Sequence, residues 1–383
     1  MITITRGDRA AAFAVTRNVY PEGTLYVPPM WSDFDRMFDP AKNPLVTEGH
    51  GRFELFVAWR DGRPVGRIGA SLHQASNARH GTRRAQFGFF DCADDPEVAG
   101  ALLNAAEDWG RAAGMSELVG NFNLTAMQQV GVVTGGFERP PYTDMVHSPP
   151  HIARLLAANG YAPVFPMTTF ETDLGALDPA SLLGPAQEAI LADPDFAWMP
   201  IDRKSFRTRL GEARTVLNDG FADNPMFVPT SPAEYLFQAG DMMWVIDKRI
   251  SCVAHYRGRP VGVILVIPDL NPLVKAAGGR MGLSFAWHLI KQRLTNRRAV
   301  LIYQSVSRTM HGRGINGAML FRVVSAMKTI GYDRLGTTWI ADVNGASLRQ
   351  MDKLGAQPLH RLHLFSKPLL ATAVTPASPP EAA

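Results

Sequence analysis

Cysteine is scarce: in 383 residues there are two, Cys92 and Cys252. That excludes a disulfide framework and fits a reducing, cytoplasmic compartment. Long apolar runs are also missing. The longest beside a strand pattern, Val261–Ile267, falls far short of the roughly 20 residues that span a bilayer. Met1–Thr16 carries Arg6, Asp8 and Arg9 and no apolar h-region, so no export signal is expected there. None of the ten histidines pairs with another at metal-ligand helical spacing with supporting cysteines, so no metal is expected. Charged residues make up 19% of the chain against 46% hydrophobic, which excludes a disordered chain and supplies core for two domains. The formal net charge is +4. Lys and Arg are dispersed and no nucleic-acid module is present, so no nucleic acid is expected as a partner.

The chain repeats itself. Residues 57–68, VAWRDGRPVGRI, align without a gap on residues 253–264, VAHYRGRPVGVI, at an offset of 196. Downstream, LLAANGYAP (155–163) echoes RQMDKLGAQP (349–358), with Gly160 and Gly355 offset by 195. Two anchors at nearly one offset point to a tandem duplication, too long in period for a solenoid. Each unit reads in the same order. A hairpin comes first, then an apolar strand (Gln86–Asp91; Val300–Val306). Then follows an amphipathic helix with Val98, Leu102, Ala105, Trp109 and Ala112 in one copy. In the other, Ile315, Met319, Val323, Met327 and Ile330 hold the same spacing. Gly114 and Gly331 supply C-terminal caps. Another strand (Glu117–Gly120; Arg334–Ile340), a second helix and a final strand (Met167–Thr172; Arg361–Lys367) close each unit. The fold class is α+β: two tandem domains, each a mixed, mostly antiparallel sheet flanked by helices, over 1–180 and 195–370. Residues 371–383, rich in Ala and Pro, read as a flexible tail.

One segment carries chemistry. In Val306–Leu320, VSRTMHGRGINGAML, a strand ends and a Gly-rich turn, His311-Gly312-Arg313-Gly314, opens a helix. Such a turn leaves backbone N–H groups converging at a helix N-terminus, where a pyrophosphate fits. Arg308 and Arg313 add positive charge. The bland alternative is a plain strand–turn–helix connection. The corresponding stretch of unit one, Asp91–Glu97, holds Asp91, Asp94, Asp95 and Glu97, which would repel a pyrophosphate.

Residues 215–367 resemble the GNAT superfamily of N-acetyltransferases. The family's acyl-CoA loop falls on His311, Gly314 and Asn316, and its wider form on Val306, Gly312, Arg313, Gly314 and Ile315. Its downstream block falls on Asn344, Ser347, Lys353, Leu354 and Gly355. The resemblance implies that the loop amides through Gly317 bind the CoA pyrophosphate. It also implies main-chain bonds to pantetheine near Ser305, Val306 and Ser307, and acyl-CoA as donor. Three positions depart from the pattern. His311 replaces Gln or Arg, Asn316 replaces Gly or Ala, and Met351 stands where many members carry the Tyr that protonates the departing thiolate.

For the remaining roles the residues offer Asp342 as base, Tyr303 as a substitute acid or a core residue, and Asp269 or Asn271 either to orient an amine acceptor or to cap a local Asp-x-Asn turn. Phe165, Met167, Phe170, Met226, Phe227, Met242, Met243 and Trp244 are either ordinary core or a channel for a long acyl chain. Lys291–Arg298, KQRLTNRR, is either a solvated helix end or a surface for anionic lipid headgroups or CoA phosphates, which would make membrane contact peripheral. The expectation is an acyl-CoA-dependent N-acyltransferase. In length and tandem plan the chain is similar to the bacterial ceramide synthase type, which N-acylates a sphingoid base. A non-catalytic, GNAT-derived acyl-CoA sensor or scaffold is the other reading.

Overall fold

The duplicated Gly-Arg-Pro-Val-Gly segments form the same hairpin twice. Strand β2 (Gly51–Arg60) turns into β3 (Arg63–His73) through Asp61 and Gly62, at φ 50° and 75°. Strand β9 (Cys252–Tyr256) turns into β10 (Arg259–Pro268) through Arg257 and Gly258, at φ 49° and 75°. Two successive positive φ values define the two-residue turn whose twist matches paired strands. The computed structural model describes residues 1–125, 128–222 and 227–369, with backbone alone at 283–284. The expected tail at 371–383 and Met226 lie outside the described residues.

The other strands are β1 (Ile2–Arg6), β4 (Arg84–Cys92), β5 (Glu117–Gly120), β6 (Val132–Gly135), β7 (Ala162–Asp173), β8 (Phe196–Pro200), β11 (Arg298–Val306), β12 (Arg334–Ala341) and β13 (Gln357–Pro368). They form one sheet in the order β1-β2-β3-β4-β5-β13-β7-β12-β11-β10-β9-β8, with β6 also on β13. Helices pack on it at equivalent places in the two units. Pro96–Ala112 buries Val98, Leu102 and Leu103, and Ile315–Ile330 buries Ile315, Met319, Val323 and Met327. The chain turns after these helices at Gly114 (φ 76°) and Gly331 (φ 93°).

The final strands do not close their own units. Strand β7, from the first unit, pairs antiparallel with β12 of the second. Strand β13, from the second, pairs antiparallel with β5 of the first. The two also pair with each other at the centre of the sheet. The sequence expectation is corrected here. An apolar strand pattern specifies a buried, paired strand but not which of two duplicated sheets supplies the partner. The exchange makes the two units a single continuous sheet.

Among the described residues, the one parallel pair in each unit lies beside the exchanged strand. Strands β11 and β12 stay in register only from Arg298↔Arg334 to Leu301↔Thr337 and then part. Beyond Leu301 that edge of β11 faces a cleft.

Candidate active site

The Gly-rich turn opens the helix whose second residue, Asn316, lines this cleft. His311 has its Nε2 2.8 Å from the Val306 carbonyl, so Nε2 carries the proton and donates. The histidine that replaces Gln or Arg ties the turn to the strand end. Gly312 (φ 76°) and Gly314 (φ 92°) then lead into the helix Ile315–Ile330, whose N-cap has no side-chain hydrogen bond. Among the described residues, the amides of Gly312, Arg313 and Gly314 donate to no backbone carbonyl. Those of Ile315, Asn316 and Gly317 open the first helical turn, where no intrahelical acceptor exists. The result is an uncapped, electropositive N-terminus. Gly314 is required twice over: its φ is left-handed, and a Cβ there would lie 3.1 Å from Ala186 Cβ.

Other parts of the motif serve structure. The Ser307 amide donates to the Val261 carbonyl at 2.8 Å and is not free for pantetheine. Ser305 and Val306 pair with Val263 and Gly262 of β10, and Ser305 is buried. Asn344 accepts from the Ser347 amide at 3.1 Å, capping the helix Gly345–Lys353 at the cleft wall. Arg308 is paired with Asp219.

The equivalent position in unit one is closed. Asp95 Oδ1 accepts from the amides of Glu97 (2.9 Å) and Val98 (3.3 Å), filling the helix N-terminus with its own carboxylate. Arg60 and Arg154 pair with the acidic residues around it.

Beyond the turn the cleft, about 410 Å³, runs between β11 and β12 and is walled by Ile302, Gln304, Thr337, Ile340 and Met351. A second, larger cavity of about 680 Å³ lies between the halves of the chain, with Phe89, Phe90, Met145, Phe237, Met242 and Phe285 in its wall. The two share three residues: Gln128, Asp144 and Tyr303.

Asp144 is the residue that sequence reasoning missed. It stands at φ 67° in the loop between β6 and the helix Pro150–Ala158. That loop is pinned from both sides. The Tyr142 ring is fully buried, its hydroxyl donates to Glu171 Oε2 at 2.6 Å, and the Arg298 guanidinium lies 4.0 Å from its centroid. Gly336 makes room for it, since a Cβ there would come within 2.6 Å of the ring. The amide and hydroxyl of Thr143 both donate to Asp269 Oδ1. Burial pushes the Asp144 carboxyl up to about 7. Tyr303 is raised well above the ordinary phenol range by burial first and then by the Asp144 and Tyr235 side chains, so it stays protonated. His147, also in the larger cavity, is lowered to about 4 by burial and is neutral.

Of the residues put forward for chemistry, Tyr303 lines both cavities and Asn271 lines the larger one. Asp342 is corrected: it forms a two-point pair with Arg361, at 2.7 and 2.6 Å, that holds its carboxyl below the usual range, and it lines neither cavity. Asp269 is corrected as well. It is 1% exposed, pairs with Arg298 at 3.2 Å and lines neither cavity, so it orients a protein loop and not an amine. The signal for Asp144 was present in the repeat. Residues 342–344 link β12 to the next helix in unit two, whereas 121–149 fill the same place in unit one. This insertion reaches the other unit's cleft, which Gln128 and Asp144 line.

No family model matches the chain. It is 26% identical over 352 residues to the bacterial ceramide synthase of Caulobacter vibrioides (strain NA1000 / CB15N), covering 90% of each chain. It is 25% identical over 376 residues to Protein YghO of Escherichia coli (strain K12), covering 95% of this chain and 94% of that one. Among solved structures it resembles a tandem GNAT protein from the clavulanic acid biosynthesis pathway, with TM-score 0.58, 14% identity and coverage of 97% and 100%. It also resembles a GCN5-related N-acetyltransferase from Sphaerobacter thermophilus, with TM-score 0.50, 16% identity and coverage of 96% of each chain. The fold is therefore the tandem GNAT fold anticipated from the repeat and the Gly-rich turn. No helix among the described residues is long and apolar enough to cross a membrane.

Proposed function

We propose that the protein is an acyl-CoA-dependent N-acyltransferase that moves a long acyl chain onto a lipid amine such as a sphingoid base. The observation that carries this reading is the junction at Asp144 and Tyr303. An uncapped helix N-terminus heads a narrow cleft, and that cleft meets a large, mostly apolar cavity at one carboxyl and one phenol. The amides of residues 312–317 hold the CoA pyrophosphate, with Arg313 beside them. The pantetheine arm follows the edge of β11 that β12 leaves beyond Leu301. The apolar cavity takes the lipid amine, and the name of the Caulobacter relative supports a sphingoid acceptor.

In this mechanism the amine nitrogen attacks the thioester carbonyl, forming the C–N bond while the C–S bond breaks. Asp144 takes the proton that the nitrogen must lose, and a carboxyl near neutrality suits a base working at pH 7. The Tyr303 hydroxyl gives a proton to the departing thiolate and regains one from Asp144. Met351, buried in the cleft wall, has no proton to give, and Tyr303 supplies that function from β11. Positioning of donor and acceptor at one point supplies the rest, since a thioester has a good leaving group.

The test is free-thiol release from acyl-CoAs of increasing chain length, with a sphingoid base and with small amines. Release that requires a long chain and the lipid amine supports the reading. Release with acetyl-CoA and a small amine removes the lipid part. CoA binding with no thiol release from any pair would overturn it in favour of a non-catalytic acyl-CoA sensor.

A further inference from the structure

The helix Leu283–Thr295 has two opposite faces, and one of them is in the wrong solvent. Toward the protein, Phe285 and Leu289 line the larger cavity, and Gln292 is buried with its amide on the Asp269 carbonyl. Outward, Trp287 is 67% exposed, Ile290 55% and Leu294 81%. At about 100° per residue these three fall within roughly 60° of one another and opposite Phe285 and Gln292. Exposed Lys291 and Arg293 flank the apolar ridge on either side, and exposed Arg297 follows the helix. A continuous outward ridge of one Trp and two aliphatic side chains marks a contact surface, whereas scattered exposed apolar residues do not.

Charge identifies what covers it. Residues 270–332 contain no Asp or Glu and ten Lys and Arg. A twofold pairing of this face with a second copy would bring Lys291, Arg293 and Arg297 against themselves. An anionic lipid surface complements both features, because it takes apolar side chains between its headgroups and basic ones on its phosphates. Tryptophan suits that boundary. The location also fits, since Met281 (72% exposed) and Trp244 (59%) are at once exposed and part of the cavity wall.

We infer that the helix Leu283–Thr295 is an interfacial element that seats the protein on an anionic bilayer. Trp287, Ile290 and Leu294 enter the headgroup layer, Lys291, Arg293 and Arg297 lie on lipid phosphates, and the larger cavity opens at the membrane surface. A long-chain molecule then passes between bilayer and cavity without crossing water. The docking itself does not depend on the proposed reaction.

The experiment is flotation of the full chain with vesicles of equal parts phosphatidylglycerol and phosphatidylcholine, beside pure phosphatidylcholine. The wild type floats with the anionic vesicles and is released by salt. The variant W287E/I290E/L294E binds at least about tenfold more weakly, and so does K291E/R293E, because basic residues near the surface add to binding. Both variants change exposed side chains, so an unchanged thermal melt shows that they are folded. Brominated acyl chains quench tryptophan fluorescence in the wild type, and less so in Trp287→Phe. The inference is overturned if the wild type ignores anionic vesicles, or if the triple variant binds them as well as the wild type does. It is also overturned if light scattering shows a dimer that the triple variant makes monomeric, with no vesicle binding. Loss of the proposed reaction would show as absent thiol release with vesicle binding intact, so the two failures are separable.

Discussion

Asp269 Oδ1 accepts two hydrogen bonds from Thr143, from its amide at 2.9 Å and its hydroxyl at 3.0 Å, and Thr143 immediately precedes Asp144. A carboxylate of the second unit thus fixes the backbone that presents a carboxyl of the first. Under the proposed reaction Asp269 is a positioning residue. Asn in its place keeps an acceptor for Thr143 but leaves Arg298 without its ion pair. The expected result for Asp269→Asn is a kcat lowered about tenfold, the scale of a slightly misplaced group, with KM for acyl-CoA unchanged. The inflection of rate with pH stays where it is in the wild type, because Asp144 is still present. Steady-state kinetics across pH measures all three.

Asp144 itself has a different signature. As a base it must be ionised, so rate rises with pH and levels off above about 7, the value to which burial pushes its carboxyl. Asp144→Asn loses the inflection and about 10²–10³ in kcat. Stability moves the other way. The native carboxyl titrates above the unfolded one, so between the ordinary carboxylate range and about pH 7 the native state binds the extra proton. Stability from this group is therefore lost as pH rises through that window. Asp144→Asn is expected to flatten that slope and to melt higher than the wild type at pH 8. A variant with no activity that is also less stable at pH 8 would contradict the assignment.

What the sequence made legible was local. The two-residue turns, the helical spacing of Ile315, Met319 and Val323, and the Gly-x-Gly turn each depend on neighbours a few residues apart. Their physics is written into short stretches. What it hid was relational. Strands β7 and β13 have ordinary strand patterns, and nothing in either names its partner. Asp342 sat at a plausible distance from Asn344, but Arg361, nineteen positions on and in another strand, claims its charge. Asp144 belongs to the unit without the Gly-rich turn and lines the cleft of the unit that has one. The exchanged strands bring those two places together, and no periodicity reports that.

A buried ion pair of the first unit, Arg67 with Asp91, stands in the wall of the larger cavity. Arg67, 1% exposed, binds Asp91 Oδ2 through Nε at 2.9 Å and Nη2 at 2.7 Å, and also donates to the Ala12 carbonyl and the Tyr26 hydroxyl. The Tyr20 hydroxyl donates to Asp91 Oδ1 at 2.6 Å. Arg67→Ala leaves a buried carboxylate unpaired and is expected to cost about 3–5 kcal/mol in urea unfolding. Adding Asp91→Ala removes that charge too, so the double variant should be less destabilised than the sum of the singles.

Donor binding separates from chemistry at two glycines. Gly312 and Gly314 both have left-handed φ, 76° and 92°, so a Cβ strains the backbone at either one. Their surroundings differ. A Cβ on Gly312 meets nothing within 4 Å, whereas one on Gly314 lies 3.1 Å from both Ala186 Cβ and Gln187 Nε2. Gly314 is also the N-cap of the helix whose second residue, Asn316, lines the cleft. Alanine there must either push the helix Pro185–Ala192 away or rotate the turn, and either shift moves the amides off a common point. Calorimetric titration with CoA should show Gly314→Ala weakened at least tenfold and Gly312→Ala by less, each with a stability loss of about 1 kcal/mol or more. Because CoA carries no acyl group, the measurement reads the cradle alone. If Gly314→Ala binds CoA as the wild type does, the turn is a connection and not a pyrophosphate site, whatever thiol-release assays show.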